Sequence, residues 1–223
     1  MAAERYTSGM EKRQLSPLDK ILAGANNALR TVASPAGRPA RSNPSENVED
    51  AGLDSKQKAH AAGLMRVNHA GEVAAQALYQ GHASVARDKN IEAQMKHAAD
   101  EEFDHLAWCE QRLDELGYRP SRLSPLWYAG AYTIGAASGV LGDKWSLGFI
   151  AETEKQVCSH LDSHLDRLPE EDAKSRAILQ QMREEEKEHG ENAIDAGAAE
   201  LPRPIIRLMR ATAKLMTNTA YWV

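Results

Sequence analysis

The feature that most constrains this chain is a short pattern that occurs twice. Glu72 is followed 30 residues later by Glu102 and then by His105. Glu154 is followed 32 residues later by Glu186 and then by His189. Residues three apart share one face of a helix, with Cβ atoms roughly 5–6 Å apart, so a Glu and a His at that spacing can reach one metal ion. An interval of 30–32 residues lets one helix end, turn and return alongside. Each half therefore supplies a helix with a single Glu, antiparallel to a helix with Glu-x-x-His. Two halves direct four carboxylates and two imidazoles into one all-α bundle, a donor set that suits two metal ions between four helices. One isolated Glu-x-x-His carries little information in a chain with 32 acidic residues, and the run Glu184, Glu185, Glu186, Lys187, Glu188 taken alone reads as a solvated face. Two copies at similar intervals are hard to obtain by chance.

Around this repeat the composition excludes several classes. A chain of 223 residues suits one domain with a sizeable core. A net charge of −5 argues against nucleic acid as a partner, because phosphate binding needs a basic surface. Cys109 and Cys158 do not form a Cys-x-x-Cys, so zinc and dithiol chemistry have no support. No Gly-x-Gly-x-x-Gly is present, so no organic cofactor is expected and electrons must come from elsewhere. The first 30 residues lack an apolar h-region, so no secretory signal is expected.

Taken in order, residues 1–14 are polar, and Ser16-Pro17 reads as a helix start. Leu18, Ile21, Leu22, Ala25, Leu29 and Val32 then form an amphipathic stripe. Two readings stand for it, a helix on the bundle and a helix for a membrane surface or partner. Residues 33–54 hold Pro35, Gly37, Pro39 and Pro44 and read as a linker or a surface-hugging loop, so 1–54 is expected to be an N-terminal extension to a domain at 55–223. The bundle helices are expected at 55–87, 90–116 with Asn90 as N-cap, 143–168, and 169–200 opened by Pro169. Glu101 competes with Glu102, since it lies four before His105, and the three-residue spacing of the other half favours Glu102. Residues 123–142 carry no charge but contain Pro125 and several glycines, so an apolar helix at 125–141 that is buried or dips into a membrane interface is expected. Its Gly135-x-x-x-Gly139 permits close helix packing. The last helix, 204–221, mixes Ile205, Leu208 and Leu215 with Arg207, Arg210 and Lys214. It suits both an interfacial helix and a helix packed over the bundle.

Carboxylates and imidazoles without thiolate select first-row metals such as iron or manganese. Other histidines compete weakly. His69 is surplus to the set, His160 is a solvated or substrate-contacting residue, and His60, His82, His97 and His164 read as surface.

At these residues the chain resembles a known family. Arg66-Val67-Asn68-His69-Ala70-Gly71-Glu72, the Glu102/His105 pair, the stretch opening Pro125-Leu126-Trp127, Glu154, and the Glu186/His189 pair are similar to the di-iron demethoxyubiquinone hydroxylases of ubiquinone biosynthesis, from about Lys56 onward. The resemblance implies a ferritin-like four-helix bundle with extra apolar and C-terminal helices. It implies two iron ions per chain, with Glu72, Glu102, His105, Glu154, Glu186 and His189 as ligands. Glu102 and His105 would bind one iron, Glu186 and His189 the other, and Glu72 and Glu154 would complete and bridge. No catalytic residue beyond these ligands is expected. The implied reaction hydroxylates the ring of a polyprenylated demethoxy-quinol with dioxygen. The implied setting is peripheral contact with the cytoplasmic face of a bacterial plasma membrane, with partners of a ubiquinone-synthesis complex. Early acidic residues (Glu4, Glu11, Asp19) do not suit a mitochondrial presequence, which favours the bacterial form. Two other readings compete: a ferritin-like ferroxidase or iron-handling protein, and a non-catalytic lipid-binding scaffold.

Overall fold

Seven α-helices and no strand make up the described residues, 16–32, 39–50 and 52–223, of the computed structural model. They are α1 (Pro17–Val32), α2 (Ser55–Val85), α3 (Lys89–Leu116), α4 (Ser124–Leu141), α5 (Asp143–Arg167), α6 (Ala173–Asp195) and α7 (Arg203–Ala220). The hairpins α2–α3 and α5–α6 pack into a four-helix bundle, and α4 runs along α2 as the connection between them. This is the all-α, ferritin-like arrangement that the repeat predicts.

Local chemistry sets the helix ends. Asp54 and Gln57 form a reciprocal capping box at the start of α2. Asp88, two residues before the expected cap Asn90, caps α3 by accepting from the Asn90 N–H. Gly117 stops α3 in the left-handed region at φ 81°. α6 begins four residues later than Pro169 suggests, because Asp172 caps it through the Ser175 N–H at 3.1 Å. The guanidinium of buried Arg112 holds that cap at 2.8 Å and so ties α3 to the start of α6. Breaking such a buried pair from one side costs about 3–5 kcal/mol.

Two apolar clusters cap the bundle's polar middle. Leu64, Met65, Trp108, Leu113, Leu161 and Ile178 pack at one end. Tyr79, Met95, Leu147, Ile150 and Ala193 pack at the other. Each fully buried large apolar side chain contributes about 1.5–3 kcal/mol, which offsets the cost of the ionisable layer between the clusters. Along α2 and α4 the backbones touch. A Cβ on Gly135 would collide with the Leu78 carbonyl, and one on Gly81 with the Tyr132 carbonyl. The Gly135-x-x-x-Gly139 spacing thus does pack closely, against α2.

The outer helices are half-docked. Ala28 and Val32 of α1 pack against the cluster containing Tyr128, while Leu18, Leu22 and Leu29 face outward. The end of α7 is fastened to α2: Ala220 is buried with Val67 and Ala70, and the Arg66 guanidinium donates to the Tyr221 carbonyl at 2.7 Å. Trp127 of α4 packs there too, so α4 and α7 meet on α2. Leu126, Val140, Leu141, Leu208, Leu215 and Trp222 remain exposed. Among the described residues no helix is long and apolar enough to cross a membrane.

Two histidines expected at the surface are buried. His82 and His164 are each 1% exposed. His82 Nδ1 lies 3.1 Å from the Ser138 hydroxyl of α4, and His164 Nδ1 lies 2.9 Å from Asn68 Oδ1 of α2. Each ring has one partner from another helix, which neighbouring residues in the chain do not reveal, and His82 Nε2 is left buried without one.

Candidate metal centre

Each bundle helix presents its acidic residue to the interior at the same level. Single oxygen or nitrogen atoms of Glu72, Glu102, His105 and Glu186 all lie within 4.8 Å of one another, and all four residues are buried. His105 Nδ1 is 3.1 Å from Glu186, 3.2 Å from Glu102 and 3.7 Å from Glu72. His189 Nδ1 adjoins the same pair, 3.2 Å from Glu102 and 3.4 Å from Glu186. Glu154, 1% exposed, accepts a hydrogen bond from the Tyr79 hydroxyl at 2.7 Å. Glu102 and Glu186 therefore stand between the two imidazoles. Glu72 and Glu154, to which the resemblance gives the completing and bridging part, lie 3.7 Å from His105 and against the Tyr79 hydroxyl respectively.

The outer nitrogens of the two imidazoles repeat one another. His105 Nε2 lies 2.6 Å from Glu185, and His189 Nε2 lies 2.9 Å from Glu101. Each of these carboxylates directly precedes the Glu of the opposite half that stands between the two rings. Glu101 is thus an outer partner of His189, while Glu102 is the member of the pair that enters the cluster of close ligand atoms. A carboxylate on the far nitrogen fixes the ring and raises its basicity as a ligand. The signal was in the chain, since Glu-Glu-x-x-His occurs twice, but the leading Glu reads as part of a solvated run.

The electrostatics ask for cations. Burial opposes charge on His105, but hydrogen bonds to Glu102, Glu185 and Glu186 outweigh it and raise the ring well above its ordinary value. The same balance, through Glu102 and Glu186, pushes His189 up to about 12. Burial also opposes ionisation of Glu102, yet the two imidazoles hold it well below the carboxylate range. Glu72 and Glu154 go the other way, raised by burial and by the charges of Glu102 and Glu186. Protons on four of these groups thus do the charge balancing that two divalent ions would do. Five buried atoms make no well-aligned hydrogen bond, namely one oxygen each of Glu72, Glu102, Glu154 and Glu186, and His189 Nδ1. Three of them, Glu102 Oε1, Glu186 Oε2 and His189 Nδ1, converge, with the ring nitrogen 3.2 and 3.4 Å from the two oxygens. Unpaired buried acceptors are costly, and first-row metal ions satisfy them. The donor set fits iron, and no sulfur competes, since the Cys109 thiol faces Met182 at 3.8 Å.

His69 is buried, with its Nδ1 unpartnered, and burial holds its pKa near 4. His160 stacks near His164, with ring centroids 3.9 Å apart. Neither belongs to the cluster of close ligand atoms. A cavity of about 280 Å³ opens between α3 and α6 against His189, with Tyr79, Met95, Ala98, Leu147 and Ile150 in its wall.

Comparison with known proteins supplies the context. The sequence model of a family described as "Ubiquinone biosynthesis protein COQ7" matches residues 59–222. The chain is 54% identical to a 3-demethoxyubiquinol 3-hydroxylase of Polynucleobacter necessarius over 207 residues, 93% of this chain and 99% of that protein. It is 53% identical to the like-named protein of Chromobacterium violaceum, covering 92% of this chain and all of the other. With that of Nitrosococcus oceani the identity is 51% over 96% of this chain and all of the other.

Proposed function

Because the chain belongs to the COQ7 family of ubiquinone biosynthesis and is a hydroxylase of that pathway, we propose that it hydroxylates the ring of a polyprenylated demethoxyubiquinol at two iron ions held by Glu72, Glu102, His105, Glu154, Glu186 and His189. The observation that supports the metal assignment is the convergence of these buried carboxylates and imidazoles, five of the six with an atom that makes no well-aligned hydrogen bond. Bound there, the iron pair would supply dioxygen activation, with one oxygen atom entering a ring C–H and the other leaving as water with two electrons and two protons.

The chain's own residues do the rest. Glu102 and Glu186 lie between the imidazoles and hold the two positions together. Glu101 and Glu185 take the outer N–H of each ring, so Nδ1 points inward. Tyr79 keeps its proton, because burial and the charge of Glu154 raise the phenol well above its ordinary value. It therefore remains a donor to Glu154. The cavity beside His189 would take the quinol ring against Tyr79, Met95, Leu147 and Ile150, with Glu101, Glu185 and Asn192 as its polar wall.

The exposed apolar residues of α4 and α7 are read as a peripheral contact with the cytoplasmic face of a bacterial plasma membrane, where the polyprenyl tail resides. Residues 1–54 are read as an extension to the hydroxylase domain at 55–223.

The test is turnover of a short-chain demethoxyubiquinol by anaerobically iron-loaded protein under labelled dioxygen. Two irons per chain and label in the new hydroxyl are expected. Unlabelled product would overturn the oxygenase chemistry. Iron oxidation without any quinol product would favour the ferroxidase reading.

A further inference from the structure

Arg41 lies outside the stretch matched by the family, in the segment that precedes α2. Its Nε donates to Asp104 Oδ2 at 2.7 Å, and its Nη1 donates to Glu185 Oε1 at 2.6 Å. The guanidinium also lies over the Trp108 ring, 5.0 Å from its centroid. The neighbouring Ala40 N–H donates to Asp104 Oδ1 at 2.7 Å. One side chain thus joins three residues of α3 and α6. Glu185 uses its other oxygen, Oε2, to accept from His105 Nε2 at 2.6 Å. The connection runs from Arg41 through Glu185 to His105.

The opposite half is built otherwise. Glu101, the counterpart of Glu185, has as its ionic partners among the described residues His189 at 2.9 Å and His97 at 3.9 Å. Glu188, the counterpart of buried Asp104, is exposed. Arg41 covers the His105 side, whereas the cavity, whose wall includes Glu185 as well as Glu101, reaches the His189 ring itself and not that of His105.

We propose that Arg41 is a positioning residue that makes the two metal positions unequal, with the His105 position tight and the His189 position loose and exchangeable. This rests on the six-ligand reading above. A planar guanidinium that binds two carboxylates leaves Glu185 few alternative rotamers, so the acceptor for His105 Nε2–H is in place before a metal arrives. Supporting contacts one step beyond a ligand are worth about 10–100-fold in metal affinity. Arg41 acts one step further out, which puts its effect at the lower end. Glu101 has no such brace, so His189 is oriented less firmly and lies at the open edge.

The experiment is a cobalt(II) titration of the full chain stripped of metal, followed by the visible absorption of the bound ion, with the total bound counted by equilibrium dialysis. Wild type should bind two ions in two resolved steps. Arg41→Ala should weaken the tight step about tenfold and leave the loose step within about twofold. Arg41→Lys, which keeps the charge but not the two-pronged geometry, should fall between them. Glu101→Gln should weaken the loose step instead. A purely structural role for Arg41 would move both steps together. Equal steps in wild type, or an Arg41→Ala effect on both steps or on neither, overturns the proposal while the two-metal reading stands. Fewer than two ions per chain in wild type overturns both. If circular dichroism shows that Arg41→Ala does not fold, Arg41→Lys decides by the same criteria.

Discussion

The α2–α3 and α5–α6 halves carry the same ligand pattern, yet their surroundings differ. His105 is fully buried, and its outer carboxylate is clamped by an arginine. His189 is 8% exposed beside a cavity, and its outer carboxylate is half-open. Glu154 accepts from a buried phenol, whereas Glu72 lies 3.7 Å from the His105 ring. The likeness comes from helix spacing, and the difference comes from residues outside the repeated pattern. The repeated spacing builds the buried Glu/His layer, while access and asymmetry are added around it.

The largest expected effect tests the likeness. Glu102 and Glu186 each approach both imidazoles. Glu102→Ala and Glu186→Ala should therefore be equally severe, each lowering iron content below two per chain and turnover by more than about a hundredfold, beyond the loss of a supporting contact alone. Metal analysis and initial rates on variants with unchanged helical circular dichroism check this. A variant of one half that keeps both irons would break the equivalence.

The next effect concerns stability. Burial first, with little compensation, holds the rings of His82 on α2 and His164 on α5 at about 4 and about 2. Both lie below the unfolded value of about 6.5, so the unfolded chain binds more protons and stability falls as pH drops below about 6.5. At pH 5 each ring costs about 2 kcal/mol relative to pH 7, at about 1.4 kcal/mol per unit. Replacing either ring with Leu in metal-stripped protein should flatten the fall in urea midpoint by that amount, since the ligand cluster is common to both proteins. Equal flattening by His82→Leu and His164→Leu is expected at pH 5. A difference would show that the halves bury their histidines unequally.

What could be read from the sequence follows the same division. Helical periodicity and the two intervals foretold an all-α bundle, and the structure gathers Glu72, Glu102, His105 and Glu186 into one cluster with His189 and Glu154 beside it. Both depend on spacing within a helix, which a sequence displays directly. The caps at Asp88 and Asp172 were missed because Asn90 and Pro169 are equally good signals locally. Burial of His82 and His164 was missed because Ser138 and Asn68 lie 56 and 96 residues away. Arg41 is 144 residues from Glu185, in a stretch that reads as linker. Beside the repeated Glu-Glu-x-x-His, Tyr79 also has a local signal, lying seven residues after Glu72 and so two turns along the same face.

Tyr79 also gives the smallest effect and the sharpest test of the asymmetry. Its hydroxyl donates to Glu154 Oε1, and its ring lines the cavity and meets His189 edge-on at 6.4 Å between centroids. Tyr79→Phe removes the donor and keeps the ring, so the cavity wall and the packing with Met95 and Ile150 persist. A hydrogen bond to a charged group is worth about 1.5–3 kcal/mol, and the carboxylate keeps its place on α5 without it. The expected outcome is two irons per chain, an unchanged KM for the quinol, and a kcat lower by about tenfold, the rate equivalent of about 1.4 kcal/mol. A raised KM with unchanged kcat would instead make Tyr79 a wall of the ring pocket. Loss of one iron would make Glu154 dependent on its phenol for binding at all, and the two halves would then differ in the ligand layer itself as well as around it.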